Sequence, residues 1–305
     1  MKVLFATAEF APLARVGGLA AAASGLVAEL RRQGVDVEVV LPDYFTTPMS
    51  REKIVKLDVP EWAGPAQARS GVVDGIGEIT LIQAHGLTRS HPYLQPDGHG
   101  WPDNDRRFMA FSAAIAALTE HTRPDVLHLN DWHTCAALGH LARRPPTMLT
   151  IHTLAYQGRT NPGWLRTLRH HVGAFEQWGD CNPLLGGIRL ADIVVAVSPH
   201  YAAEITTPEG GFGLDGPLRD KGDRLAGILN GIDVVEWDPQ HDPYVKAPYS
   251  ADDTSPKTMV RRQLLDEHAL SDGGGPLLTM VTRLADQKGV DLMLPLIPYL
   301  ERLGA

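Results

Sequence analysis

The sequence contains only two cysteines, Cys135 and Cys181, among its 305 residues. They form neither a CxxC pair nor a spaced series, which excludes the disulfide framework of small secreted proteins and a cysteine-based zinc motif. The thirteen histidines contain no HExxH pattern. We therefore predict a protein of a reducing compartment that holds no metal ion.

An excess of positive charge is also absent. Twenty-eight Lys and Arg face 36 Asp and Glu, which gives a formal net charge of -8 at pH 7, and this balance argues against binding to nucleic acid or anionic membranes. No apolar run approaches the length needed to span a bilayer, and no charged-then-apolar leader precedes the first strand. These features predict a cytoplasmic protein.

What the sequence does contain is a series of short apolar runs separated by helical stretches, with 44% hydrophobic residues overall. This pattern is typical of an α/β, Rossmann-like parallel sheet with helices on both faces. The buried strands are predicted at residues 3–6, 35–41, 126–129, 148–151, 193–197 and 225–229. Alternation in residues 54–59 and 71–84, with a turn at Asp74-Gly75, predicts antiparallel ribbons added to that sheet.

The stretch FATAEFAPLARVGGLAAAASGLVAEL, residues 5–30, joins the first strand to a helix that begins at Gly17-Gly18. A helix start behind two glycines favours an anion such as a phosphate, and Arg15 stands just ahead of them. A tight turn beside a solvated arginine fits the same residues equally well. From this stretch by itself, both interpretations stay open.

Polar residues follow several of the predicted strands: Asp131-Trp132-His133, His152, Ser198-Pro199-His200 and Asn230-Gly231. Ligands of open parallel sheets bind beyond the carboxyl ends of the strands, so these residues predict one site on the edge that also carries Gly17-Gly18. Their spacing does not name a reaction.

Residues 155–189 are too many for a simple connection and predict helices that cap this crevice. Their aromatic side chains, Trp164, Phe175 and Trp178, would either stack on sugar faces or form a small core.

A proline-rich polar stretch at residues 239–256 predicts a linker between a domain at 1–238 and a unit at 257–305. That unit is predicted to hold a helix at 257–267, a strand at 277–281 and a helix from Val290. One strand and one helix cannot cover their own apolar faces. The unit is therefore expected to dock on the first domain or a partner, or to be the incomplete beginning of a second domain.

Several long stretches resemble bacterial glycogen synthase and plant starch synthase, which are retaining glucosyltransferases with two facing Rossmann-like domains, the GT-B fold. They are FATAEFAPLARVGGL, VVLPDY, GWPDNDRRFMAFSAA, HLNDWHT, TIHTLAYQG, RLADIVVAVSPHYAAEITTPEGGFGLDGPLR, GILNGIDVVEWDP and VTRLADQKGVDL. They occur in the family's order over essentially the whole chain. The resemblance implies the first domain of such an enzyme and a truncated second domain.

The resemblance implies that Arg15, Gly17 and Gly18 contact the nucleotide-sugar donor. The family usually has lysine in place of Arg15, an acidic residue within the stretch 20–23, which is all alanine here, and asparagine in place of Thr153.

The resemblance further places His152 beside the transferred sugar, with Asp131 and Asn230 near the active site and acceptor. We group His152 and Asp131 with Arg283 and Lys288 as catalytic residues, and Asn230 with the donor-binding residues. In VTRLADQKGVDL, Arg283 and Lys288 match the pair that the family turns toward the donor phosphates. Two fixed cations would stabilise the charge that builds on a leaving nucleoside diphosphate. No metal or other cofactor is then required.

The implied activity is transfer of glucose from ADP-glucose or UDP-glucose to the non-reducing end of an α-1,4-glucan. A second hypothesis is a non-catalytic descendant that binds glucan or depends on a partner, such as an oligomer or a second-domain chain. A nicotinamide oxidoreductase would fit Asp43 after the second strand, but GxGxxG is absent.

Overall fold

The polypeptide folds as two units, Met1–Gly231 and Ile232–Ala305, in a computed structural model that describes residues 1–282, 284 and 288–302. The predicted linker at 239–256 lies inside the second unit. None of the described helices is long and apolar enough to cross a membrane.

The first unit alternates strands and helices along most of its length. In chain order its elements are β1 Lys2–Ala6, α1 Gly18–Arg32, β2 Asp36–Pro42, β3 Ser50–Leu57, β4 Ala66–Val73, β5 Gly77–Ala84, α2 Asn104–Thr122, β6 Val126–Asn130, α3 Trp132–Cys135, β7 Thr147–Ile151, β8 Glu176–Gln177, β9 Asp180–Cys181, α4 Pro183–Leu190, β10 Ile193–Ala196, α5 Pro199–Glu204, α6 Asp215–Arg219 and β11 Leu225–Gly227. Short 3-10 turns lie at Glu61–Ala63, Ala136–Gly139, Pro162–Thr167, Val172–Ala174 and Gly222–Arg224.

Within the described residues, nine of these strands form one sheet in the order β11-β10-β7-β6-β1-β2-β5-β4-β3. The strands from β11 to β5 run parallel, whereas β4 is antiparallel to both β5 and β3. A tight turn with Gly75 at φ 73° joins β4 to β5. The predicted parallel sheet with an antiparallel addition is therefore confirmed.

Both faces of the sheet are covered, as the unbroken apolar run of β1 requires. Leu4 and Ala6 of β1 lie in the core cluster that includes α2, whereas Val3 and Phe5 lie in the cluster that includes α1. Successive residues of a strand point to opposite faces, so a continuous apolar run has to be buried on both sides.

The segment at 155–189 differs from the prediction. It contains two 3-10 turns, the β8-β9 hairpin and a single α-helix, α4. Its aromatic residues differ in burial: Phe175 is fully buried in the core, Trp164 is half-buried, and Trp178 is 71% exposed.

The second unit contains α7 Lys257–Glu267, α8 Val290–Met293, the 3-10 turn Leu294–Leu296 and α9 Ile297–Arg302. The two predicted helices are confirmed, but the strand predicted at 277–281 is wrong. The described part of this unit contains no strand that could pair with it, and an extended segment becomes a strand only when a neighbour completes its hydrogen bonds. Val281 is accordingly 99% exposed.

Candidate functional site

Polar side chains converge where three neighbouring parallel strands end. Strand β6 lies between β1 and β7. Glu9 follows β1, Asn130 ends β6 and is followed by Asp131, and His152 follows β7. Parallel strands present their carboxyl ends at one edge. Hydrogen bonds join His152 to Asn130 and to Asp131, and the Glu9 charge acts on the pKa of His152.

Glu9 fastens two loops to this edge. Its Oε2 accepts hydrogen bonds from the backbone N–H groups of Val16 (2.9 Å) and Gly17 (2.8 Å), and its Oε1 accepts one from the Tyr93 hydroxyl (2.9 Å). The residue is 5% exposed. One carboxylate therefore positions both the turn before α1 and the long loop before α2. The N–H groups that Glu9 takes precede the helix, so those at the start of α1 are not among them.

Gly17 and Gly18 leave open space at the start of α1. A Cβ added to either residue would meet no described protein atom within 4 Å, and neither residue has a positive φ. Packing and backbone conformation therefore do not require glycine here, whereas close approach of a ligand to the backbone would. No side chain caps this helix and its first turn has no acidic residue. Arg15 is exposed in the same turn.

His152 is a neutral imidazole with a defined tautomer. Its Nε2 lies 3.1 Å from Asn130 Oδ1, and the Asn130 amide is oriented by donation from Nδ2 to the Ala6 carbonyl (3.1 Å). Because Asn130 offers an acceptor, Nε2 carries the proton and Nδ1 is left as an acceptor. Burial lowers the pKa of His152 to about 4, against a smaller opposing effect of the Glu9 charge.

Asp131 is buried and its backbone is strained. Its φ of 53° and ψ of -178° lie close to a region that is populated almost only by glycine. Its Oδ1 accepts the backbone N–H of His152 at 2.7 Å and that of Thr153 at 3.4 Å. Burial raises the pKa of Asp131 from 3.8 to about 7, and these two hydrogen bonds oppose the rise.

Behind these residues lies an aromatic wall. Trp132 stacks on His133 with ring centroids 4.3 Å apart, and His133 stacks on Tyr93 at 5.1 Å. Gly158, at φ 66°, lies so close to Trp132 that a Cβ there would come within 2.1 Å of the indole. The loop after His152 is thus held against the helix that follows Asp131.

Of the other predicted site residues in the first unit, Asn230 does not join this cluster. Asn230 is exposed beyond β11, two strands further along the sheet than β7. Lys288 is exposed in the second unit, and Arg283 lies outside the described residues. Asp43, which a nicotinamide enzyme would need for its cofactor, is instead paired with Arg69 at 2.5 Å.

Sequence reasoning missed Glu9 and Asn130. Glu9 is the only acidic residue between β1 and α1, and this could have marked it as a candidate site residue. No feature of the sequence indicates Asn130, because its position next to His152 depends on the alignment of β6 with β7.

The doubly wound sheet, with its polar cluster at the carboxyl edge, defines a Rossmann-like ligand-binding domain of the α/β class. The chain belongs to the starch synthase catalytic domain family, whose model matches residues 2–220. It is 38% identical over 318 residues to glycogen synthase 2 of Nitrosococcus oceani, covering 98% of this chain and 65% of that protein. It is 40% identical over 322 residues to the glycogen synthase of Halorhodospira halophila, and this match covers 100% of this chain and 67% of that protein. The chain thus spans about two thirds of the length of these relatives.

A solved structure resembles the whole chain. The catalytic domain of starch synthase IV from Arabidopsis thaliana, bound to ADP and acarbose, matches with a TM-score of 0.81 and 31% identity. The match covers 100% of this chain and 66% of that one. The predicted family and fold class are confirmed.

Proposed function

We propose that this chain forms the acceptor-side half of a retaining glucosyltransferase that moves glucose from a nucleoside-diphosphate glucose to the non-reducing end of an α-1,4-glucan. The observation that carries the proposal is the open glycine backbone at 17–18, tied by Glu9 to the edge that holds His152. The related starch synthase that was solved with ADP and acarbose supports both ligand classes.

The glycine turn suits the phosphate end of a donor. Open backbone at the start of α1 allows an anion to approach N–H groups and the positive end of the helix dipole. Arg15 supplies a guanidinium in the same turn, which can hold phosphate oxygens in pairs. From the second unit, Arg283 and Lys288 would add the charge that stabilises the leaving diphosphate.

His152 suits the sugar end. With Nε2 committed to Asn130, the free Nδ1 can accept a hydrogen bond from a sugar hydroxyl. Because its lowered pKa keeps the ring neutral at pH 7, His152 orients the sugar without adding positive charge. Asp131 fixes the backbone of His152 and so acts as a positioning residue.

A non-catalytic glucan-binding protein is the second candidate. The observation in its favour is the alanine stretch 20–23 at the start of α1, where the first helical turn has no acidic residue. Such a protein would retain glucan binding and lack transfer.

The test measures incorporation of labelled glucose from ADP-glucose and from UDP-glucose into glycogen. We expect incorporation from one of the two donors, and its loss in Arg283→Ala. No incorporation above background from either donor, with glycogen binding retained, would replace this proposal by the second candidate.

A matched pair of glycine variants tests the donor site. Gly18→Ala and Gly25→Ala both place a methyl group in open space on α1, so neither is expected to disturb the fold. We expect Gly18→Ala to raise the donor KM by about tenfold, since small displacements of a bound substrate are costly. Gly25→Ala should leave the KM unchanged. Equal KM values in the two variants would contradict donor binding at this turn.

A further inference from the structure

The loop between β5 and α2, residues 85–103, brings the Tyr93 hydroxyl to Glu9. We call this segment the Tyr93 loop. Its described residues belong to no helix and to none of the strands given above, so its shape depends on individual hydrogen bonds. The Tyr93 carbonyl accepts two of them, from the backbone N–H of Trp101 at 3.0 Å and from the side chain of Asn104 at 2.9 Å.

The half-buried His91 holds the N–H side of the same turn with a ring nitrogen. Its Nδ1 accepts the backbone N–H groups of Tyr93 at 3.1 Å and of Leu94 at 3.0 Å, so the ring is neutral with its proton on Nε2. In turns, asparagine and serine normally supply an acceptor for the N–H groups two and three residues ahead. Histidine differs from these two residues because it loses the acceptor when its ring is protonated.

The surroundings of the imidazole disfavour its protonation. Burial lowers the pKa of His91 below 6.5, and the Glu9 charge opposes this shift. The other charged groups and histidines on the Tyr93 loop or bonded to it are His85, Arg89, Asp97, His99, Asp103 and Arg107. Because a free imidazole binds a proton more tightly than this bonded one does, acid favours a loop in which the two bonds to Nδ1 are broken. The bonded arrangement is fully favoured above pH 6.5 and loses stability as the pH falls below that value.

The Tyr93 loop acts on the glycine turn, residues 15–18, through Glu9. The Tyr93 hydroxyl donates to Glu9 Oε1, and Glu9 Oε2 accepts the N–H groups of Val16 and Gly17. All three bonds are made by one buried carboxylate. Displacement of Tyr93 therefore removes a constraint on the orientation of the carboxylate that holds the turn ahead of α1.

We propose that His91 is a positioning residue that makes binding of a nucleoside diphosphate at the glycine turn sensitive to pH. Its neutral ring keeps Tyr93 on Glu9, and its protonation weakens binding of that ligand. The assignment of the ligand to the glycine turn rests on the proposed function.

The test is calorimetric titration of the full chain with ADP at pH 5.5, 6.5 and 7.5. ADP itself gains a proton in this range, but it does so equally for every variant, so each affinity is divided by that of the parent. His91→Asn keeps an acceptor for the same two N–H groups and cannot be protonated. We expect its affinity ratio to be about one at pH 7.5 and to rise to about three to ten at pH 5.5, as expected for the loss of neutral hydrogen bonds.

Three further variants separate this effect from general damage. His99→Asn is the matched control, because His99 is exposed on the same loop, and its ratio should stay about one at all three pH values. His91→Ala removes the acceptor, so its ratio should be well below one at pH 7.5 and return toward one at pH 5.5. In a Tyr93→Phe background, adding His91→Asn should leave the pH dependence unchanged, because the hydroxyl that contacts Glu9 is then missing.

A ratio for His91→Asn that is the same at all three pH values, an equal rise in His99→Asn, or an effect that persists in the Tyr93→Phe background would overturn this inference and leave the proposed function intact. A parent chain that binds no ADP at any pH would overturn the proposed function, and this inference with it. If His91→Ala fails to fold, His91→Asn decides alone, because asparagine supports the same turn.

Discussion

Replacing Asp131 by asparagine should make the first unit more stable at alkaline pH relative to the parent. Burial raises the pKa of this carboxyl from 3.8 to about 7, so the folded state binds its proton more tightly than the unfolded state does. The parent therefore loses stability as the pH rises between these two values. Asparagine keeps an acceptor oxygen for the backbone N–H of His152 and cannot ionise.

The magnitude follows from the two pKa values. The stability that the parent loses through this pKa difference grows from about 2 kcal/mol at pH 5 to about 4 kcal/mol at pH 8. The difference in unfolding free energy, variant minus parent, should therefore increase by about 2 to 3 kcal/mol over this range. Contributions that do not depend on pH, such as altered packing, cancel in that increase.

The assay is urea unfolding at pH 5, 6, 7 and 8, followed by far-ultraviolet circular dichroism. Glu52→Gln is the control: the hydrogen bond with Arg69 lowers the pKa of Glu52 below 4.5, so this carboxyl is mostly ionised in both states throughout the range. The unfolding free energy of Glu52→Gln minus that of the parent should therefore stay nearly constant from pH 5 to pH 8. If the same difference for Asp131→Asn stays constant or falls as the pH rises, the pKa of Asp131 is not raised by burial.

Two further predictions concern stability. Acid should destabilise the protein by up to about 4 kcal/mol per pH unit near pH 5, because four buried or partly buried histidines stay neutral in the folded state and become protonated in the unfolded state, while Asp131 offsets one of them. Urea unfolding at pH 5 and 6.5 measures this slope, and a value below about 1 kcal/mol per pH unit would contradict the prediction. The histidines, with pKa values lowered by burial to about 3 or 4, are His128, His133, His140 and His152. Gly158→Ala should cost several kcal/mol by urea unfolding because of the contact with Trp132, whereas Gly98→Ala, also at positive φ but with open space, should cost only about 1 to 2 kcal/mol; equal costs would show that backbone strain alone is responsible.

The sequence predicted the strands well because each buried strand is a short apolar run whose signal is local. The pattern at residues 3–6 requires burial on both faces, and α1 and α2 provide it. The strand predicted at 277–281 failed for a non-local reason, since no described strand pairs with it.

The candidate site was predicted only in part. His152 and Asp131 follow strands, so their positions could be read from the pattern. The role of Glu9 depends on Tyr93, which is 84 residues away in sequence. The strained backbone of Asp131 has no signature in the sequence, because aspartate is common in ordinary turns as well.

The order of strands in the sheet leaves β3 and β11 at its two margins, and neither offers a good template for strand addition. The β3 segment carries Arg51, Glu52, Lys53 and Lys56 and has an irregular register between Ser50 and Lys53. The opposite margin, β11, is only three residues long. Charged, irregular or very short edges are the means by which natural sheets avoid pairing edge to edge. The described sheet is thus protected at both margins against growth into aggregates.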